Sequence, residues 1–385
     1  MKLEHNIARL RHLMQMYRLS EQDLVDSISI GLKSPISKDE IFSNEIKLNH
    51  LKRIDKIFDK GLHYYLDPKA PEKSKEASIF FRKQKFATDE LNAGAIKIVN
   101  KFEELKISLE AIAKLSEIRF ERKFEKYSLN HNPELVAQTI RKAVYPRFSD
   151  NRRDFLKSLI TKFAEHNVLV FEFVETWNKK EKANIDGFFL KPNVIVLKRY
   201  QSFRREIFTI AHEFGHFLLD EEEIERLDYQ DMANRNIPKI ERWCNDFAFF
   251  FLAGKYSKTL DALDIANESN DYHFEIIEEV SKKTHLSELA LFTRLLFKNK
   301  LSPEHYNNIK ADIEHQYRLK QEEKEREKEL LKEQGLKQRG SVAQPIPSPL
   351  FISTIQAAFY EGILNEYEVS KKLNIKPEKL DKYIP

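Results

Sequence analysis

The sequence predicts an α+β chain that is predominantly helical, with one small β-sheet set between helical N- and C-terminal regions. Two observations carry this. Apolar residues recur at three- and four-residue spacing along most of the 385 positions, as in the stripe Phe155, Leu156, Leu159, Ile160, Phe163. Only Asn167–Thr176 and Phe188–Leu197 switch to β-rich runs, the second broken by the turn-like Lys191-Pro-Asn.

Taken in order, residues 1–68 read as a compact helix-turn-helix-like domain. Arg9–Tyr17 has helical spacing, Ser20 caps a second helix in Ser20-Glu-Gln-Asp-Leu, and Asn49–Phe58 forms a further one. The segment holds 11 Lys/Arg against 10 Asp/Glu, so it carries no basic footprint for DNA. Residues 69–149 are a helical connector: a polar linker after Pro71 to about Arg82, then a charged helical pattern from Asp89 to about Tyr127. Residues 150–310 open on the amphipathic helix Asp150–His166, pass through the two β-rich runs and turn helical again from Gln201. Residues 311–344 contain the charge run 316–339, a solvated helix or linker. Pro345, Pro347 and Pro349 are expected to stop any helix, and Phe351–Ile384 gives residues 345–385 the pattern of a small helical unit.

Composition excludes several classes of function. With 65 Lys+Arg and 61 Asp+Glu the net charge is +4, too small for a whole-protein field directed at nucleic acid. Only nine glycines occur, none at G-x-G spacing and none in a G-x-x-x-x-G-K-[ST] string, so no dinucleotide fold or P-loop is expected. The single Cys244 permits no intrachain disulfide and no Cys-rich zinc site, and fits a reducing compartment. The N-terminus has no signal-peptide core, and the longest apolar run, Phe247–Gly254, cannot span a bilayer. A cytoplasmic location without membrane attachment is the expectation.

Chemistry concentrates in Phe208-Thr-Ile-Ala-His212-Glu213-Phe-Gly-His216. Residues four apart share a helix face, so His212 and His216 can offer two imidazoles to one metal. Glu213 sits beside the first of them, within reach of a water on the ion, where it can take up and return a proton. Zinc suits two imidazoles with an open position for water. Its third ligand is assigned to Glu241 in Lys239-Ile-Glu241-Arg-Trp-Cys244-Asn245-Asp-Phe247-Ala248, where Asn245 lies four residues on and can orient a zinc-bound imidazole. Asp220–Glu223 are the alternative ligands, placed too soon after His216 to fold back easily. Cys244, in an apolar stripe, reads as a small buried hydrophobe, and the other ten histidines lack ligand spacing. Gly215 is conspicuous: a helix-interior glycine costs about 1 kcal/mol, which implies close packing against the helix carrying the third ligand.

Ala211-His-Glu-Phe-Gly-His216 followed by Glu241-x-x-Cys-Asn-x-Phe-Ala248 resembles the ImmA/IrrE family of metallopeptidases, with Cys244 in place of the usual Ala and Phe251-Leu-Ala-Gly in place of Leu-Met-Pro. The likeness runs from about Asp150 to Asn308 and takes in Leu286–Leu295, similar to the family's trailing helix. It implies a zincin-like peptidase core and an intracellular zinc endopeptidase that hydrolyses a specific protein partner. That partner would be a helix-turn-helix repressor or antitoxin encoded nearby, in a phage-related, stress or toxin–antitoxin setting. Residues 1–68 resemble a degenerate version of the N-terminal XRE-type helix-turn-helix of such proteins. The alternative is a DNA-binding transcriptional regulator, or a toxin component, whose peptidase domain mainly senses or binds its partner.

Overall fold

The computed structural model describes residues 2–17, 19–32, 34–58, 60–70, 91–175, 182–199, 202–222, 238–333 and 344–384. The chain divides into two units, Met1–Glu104 with Lys180–Asn184, and Leu105–Lys179 with Ile185–Pro385. The division therefore falls inside the segment read as a connector.

The first unit begins with β1 (Lys2–Glu4) and continues through α1 (Ile7–Met16), α2 (Glu21–Ser29), α3 (Lys38–Phe42), β2 (Glu45–Lys47), α4 (Leu48–Phe58) and α5 (Leu62–Leu66). Ser20 and Ser37 each cap the helix that follows, in reciprocal bonds with Asp23 and Glu40. Leu10, Leu24, Leu51, Ile54, Phe58 and Tyr65 fill its core. The sequence reading held helices alone here, and the structure adds the antiparallel pair β1–β2 with Leu3 opposite Ile46. Strands of three residues are too short to show a period of two. The linker expected from Pro71 to Arg82 lies outside the described residues.

Next comes α6 (Ala93–Leu115), which ends well before Tyr127. Glu117 adopts φ 51°, and the Ile118 N–H reaches back to the Ala113 carbonyl, closing the helix in a left-handed turn. That turn normally uses glycine, so a glutamate there gave no stop signal.

In the second unit α7 (Pro133–Val144) and α8 (Arg152–Glu165) precede a three-stranded sheet in the order β3–β5–β4. β3 (Leu169–Phe173) runs parallel to β5 (Val194–Lys198), and β4 (Gly187–Leu190) pairs antiparallel with β5 across the expected Lys191-Pro-Asn turn. α9 (Phe203–Leu219) packs on β4, β5 and α8 and meets α10 (Lys239–Ala253), which also lies on α7. α9 is buried from Glu206 to Leu219, and such a helix belongs at the centre of a core. Phe214 stacks on Phe163 with centroids 4.1 Å apart, and Phe217 meets Phe189 edge-on at 5.9 Å.

Both ends of α9 are held. At its start Ser202 accepts the Arg205 N–H. Beyond its last turn Asp220 turns left-handed at φ 55°, and Arg122 donates to the Phe217 and Leu218 carbonyls at 2.6 and 3.1 Å. A guanidinium there satisfies orphan carbonyls and complements the negative end of the helix dipole.

The chain continues through α11 (Tyr256–Ala262), α12 (Phe274–Thr284), α13 (Glu288–Phe297) and α14 (Pro303–Glu333). The last of these carries the first part of the charge run, mostly exposed. The prolines then act differently from expectation: Pro349 opens α15 (Pro349–Tyr360) instead of ending a helix, because the first helical turn needs no N–H from it. α16 (Glu366–Leu373) and a final 3₁₀ turn, Pro377–Lys382, follow. Phe351 packs edge-on against Phe171 of β3 at 5.3 Å, and the Ile346 N–H donates to the buried Glu172 carboxylate. No helix among the described residues is long and apolar enough to cross a membrane.

Glu172 faces Glu206, in the first turn of α9, which also pairs with Arg199 at 2.6 Å. Burial, and then the neighbouring Glu172, push the Glu206 carboxyl from 4.5 up to about 8, so the pair holds a proton at neutral pH. Because the folded state binds that proton more tightly, the stability it contributes is complete below the unfolded value of 4.5 and is lost as pH rises through about 8. The urea midpoint should therefore fall between pH 5 and 8.5, and Glu206→Gln should flatten that slope. An identical slope in the variant would exclude the carboxyl pair as its source.

Candidate metal centre

Three elements build the centre. One turn of α9 brings His212 and His216 to the same face, with ring centroids 4.9 Å apart and Nε2 atoms 3.1 Å apart. Glu241 projects from the first turn of α10, where a carboxylate also meets the positive end of that helix. Its Oε2 lies 3.1 Å from His212 Nε2 and its Oε1 3.0 Å from His216 Nε2. One ligand atom from each of the three lies within 4.8 Å of the others, and all three side chains are buried.

One turn further along α10, Asn245 Oδ1 accepts a hydrogen bond from His212 Nδ1 at 2.9 Å. That bond leaves the His212 Nε2 lone pair facing the centre. His216 Nδ1 is buried with no hydrogen-bond partner among the described residues, so no bond on that side of the ring fixes its tautomer. Burial by itself would raise the Glu241 carboxyl, but the two imidazoles, when they carry protons, outweigh it and hold the group well below the usual carboxylate range. Lone pairs and a carboxylate converging at 3 Å in a dry interior repel one another unless a cation or protons lie between them. Two imidazoles and one glutamate also match the donor set of a catalytic metal site that keeps an open position. The residues fit a divalent metal.

Asp220, Glu222 and His285 are engaged elsewhere. Asp220 meets Lys126 at 2.6 Å and Glu222 accepts from the Lys191 N–H at 2.7 Å, while Glu223 lies outside the described residues. His285 stacks on Phe148 and hydrogen-bonds the Ser149 carbonyl. No other metal-ligating group of three occurs among the described residues. Cys244 is fully buried in the core.

Two glycines set the spacing around the centre. A Cβ on Gly215 would lie 3.2 Å from Cα, Cβ and Sγ of Cys244, so the absent side chain lets α9 and α10 approach and brings Glu241 to the imidazoles. A Cβ on Gly187 of β4 would lie 2.6 Å from Thr209 Cγ2 and 3.4 Å from Glu213 Cγ, so this strand rests directly on the face that carries Glu213. The role of Gly187 escaped the sequence reading, because isolated strand glycines carry no chemical signature.

Gly215→Ala should weaken metal binding although alanine favours the helix by about 1 kcal/mol, since part of the obstacle is the Cys244 backbone. Thermal melting with a competitive chelator titration checks this, and higher stability with unchanged metal affinity would overturn it. Asn245→Ala should lower metal affinity by about 10–100-fold by releasing His212, measured by the same titration.

Residues 163–295 match the Peptidase_M78 family model, the IrrE N-terminal-like domain. The match begins in α8, takes in the sheet, α9 and α10, and ends within α13. No curated protein matches the chain. The matched span contains every residue of the His212–His216–Glu241 centre, so the centre lies within the part of the chain that matches the IrrE N-terminal-like domain.

Proposed function

We propose that the chain is a zinc-dependent endopeptidase that hydrolyses one specific protein partner. The observation that carries this is the convergence of His212, His216 and Glu241 beside Glu213 inside a peptidase-family domain. In this reading His212, His216 and Glu241 hold the metal. Zinc bound there would polarise a peptide carbonyl and make a water acidic near pH ~7.

The chain's own groups do the rest. Glu213 takes the proton of the attacking water and hands it to the departing amine nitrogen, in a pocket dry enough to keep that transfer local. Asn245 keeps the His212 tautomer fixed through the cycle. β4 is an edge of its sheet among the described residues, and at Gly187 it lies against Glu213. An extended substrate segment adding to that edge would run past the carboxylate.

The partner is proposed to be a helix-turn-helix repressor or antitoxin encoded nearby, with the protein acting in the cytoplasm in a phage-related, stress or toxin–antitoxin setting. Residues 1–68, proposed as a degenerate helix-turn-helix, would then serve mainly to dock that partner, since their charges balance at 11 against 10.

Glu213→Gln should reduce cleavage of the neighbouring helix-turn-helix protein by about 10²–10⁴-fold, while still binding one metal per chain. Chelation should abolish cleavage and added zinc restore it. Cleavage by the Glu213→Gln chain at the original rate would refute the mechanism.

A further inference from the structure

A cavity of about 300 Å³ opens at the N-terminal end of α9. Arg204 and Arg205 of α9 and Lys310 of α14 line it, against a single lining carboxylate, Glu314. Its inner wall includes Phe208, whose ring lies 6.4 Å from the ring of His212. The cavity is thus one helical turn from the candidate metal centre, on the same helix.

Two of its three cations, Arg204 and Lys310, are incompletely satisfied. Arg205 is bound to Asp186 and supplies a fixed charge. Arg204 reaches Glu288 only at 3.9 Å, and Lys310 reaches Glu314 only at 4.0 Å, both beyond hydrogen-bonding distance. The Arg204 Nε is buried with no acceptor among the described residues, and Arg152 adds positive charge nearby. A carboxylate entering the cavity can form the short, charge-assisted bonds that Glu288 and Glu314 do not. Basic residues on two helices and a buried donor lacking its acceptor favour an anionic guest, and the volume readily admits a side chain.

We infer that this cavity is a specificity subsite for an acidic side chain, Asp or Glu, of the protein substrate. This rests on the endopeptidase reading. The spacing agrees with it: same-face side chains of an extended peptide are about 6.8 Å apart, and one turn of helix from Phe208 to His212 advances about 6 Å. The acidic residue therefore sits two positions from the residue at the scissile bond. Glu288 and Glu314 hold the cations loosely in place until it arrives.

The test uses the full-length Glu213→Gln chain, loaded with zinc, to capture peptides from a randomised decapeptide mixture with amidated C-termini. Captured peptides should show Asp and Glu enriched about tenfold over Asn and Gln at one position. The enrichment should vanish in an added Arg204→Gln, Lys310→Gln pair and grow in Glu288→Gln, which frees Arg204 without removing a cation. Circular dichroism reports whether each variant is folded. With the wild-type chain, a Glu-containing peptide should show a lower KM than its Gln counterpart at similar kcat.

Absence of acidic enrichment, or its persistence without both Arg204 and Lys310, overturns the subsite. Enrichment seen only with free C-termini overturns it too, because the guest would then be a terminal carboxylate. Acidic capture without cleavage by the wild-type chain would sink the endopeptidase reading and leave the subsite standing. Cleavage indifferent to acidic residues would do the reverse.

Discussion

Three groups that need a cation or protons between them meet in the buried core of this protein. His212, His216 and Glu241 bring two imidazole nitrogens and a carboxylate within about 3 Å of each other at almost no solvent exposure. An arrangement like this costs several kcal/mol per uncompensated charge unless a cation or protons sit among the donors. Within α9 and α10 only the Asn245 bond to His212 and the positive end of α10 at Glu241 ease it. The surrounding core must hold the two helices together, and the packing of the second unit is organised around that task.

The aromatic core performs it. Phe214 and Phe217 alternate with the two imidazoles along α9 and turn towards α8 and the sheet, where Phe163 and Phe189 receive them. Because residues three and four apart share a face, one helix presents a metal-binding stripe and an apolar stripe at the same time. On the metal-binding side, Gly215 against Cys244 sets how near α10 can come. A bulkier pair there would widen the gap at Glu241, where a few tenths of an ångström separate a ligand from a spectator. The cost of a glycine in a helix is offset by that proximity.

Much of this was legible in the sequence because it rests on fixed periodicities. Four-residue spacing puts His212 with His216 and Glu241 with Asn245, and the flanking phenylalanines show that both helices are interior. The β-rich runs and the Lys191-Pro-Asn turn correspond to β3, β4 and β5 for the same reason. What the sequence concealed depends on contacts between distant positions. Arg122 lies 95 residues before the Phe217 carbonyl it caps, and Glu172 is 174 residues from the Ile346 amide it accepts. The early end of α6 was hidden because Glu117 adopts a conformation usually left to glycine. Pro349 misled in the opposite sense, since proline breaks a helix interior but suits its first turn.

Those distant contacts share a consequence. At the C-terminal end of α9, Arg122 and Asp220 lock the last carbonyls and the reversing turn. At the N-terminal end, Glu206 is clamped to Arg199 and shares its environment with Glu172, which in turn holds the backbone before α15. The helix bearing His212, Glu213 and His216 is therefore fixed at both ends by polar side chains and along its length by stacked rings. A helix so pinned cannot slide or rotate to accommodate a substrate. Selectivity must then come from what surrounds it: the strand edge at Gly187 on one side and the basic cavity beyond Phe208 on the other. Rigid ligands with recognition assigned to neighbouring elements favour selectivity, because a fixed centre rejects any segment its surroundings do not hold in register.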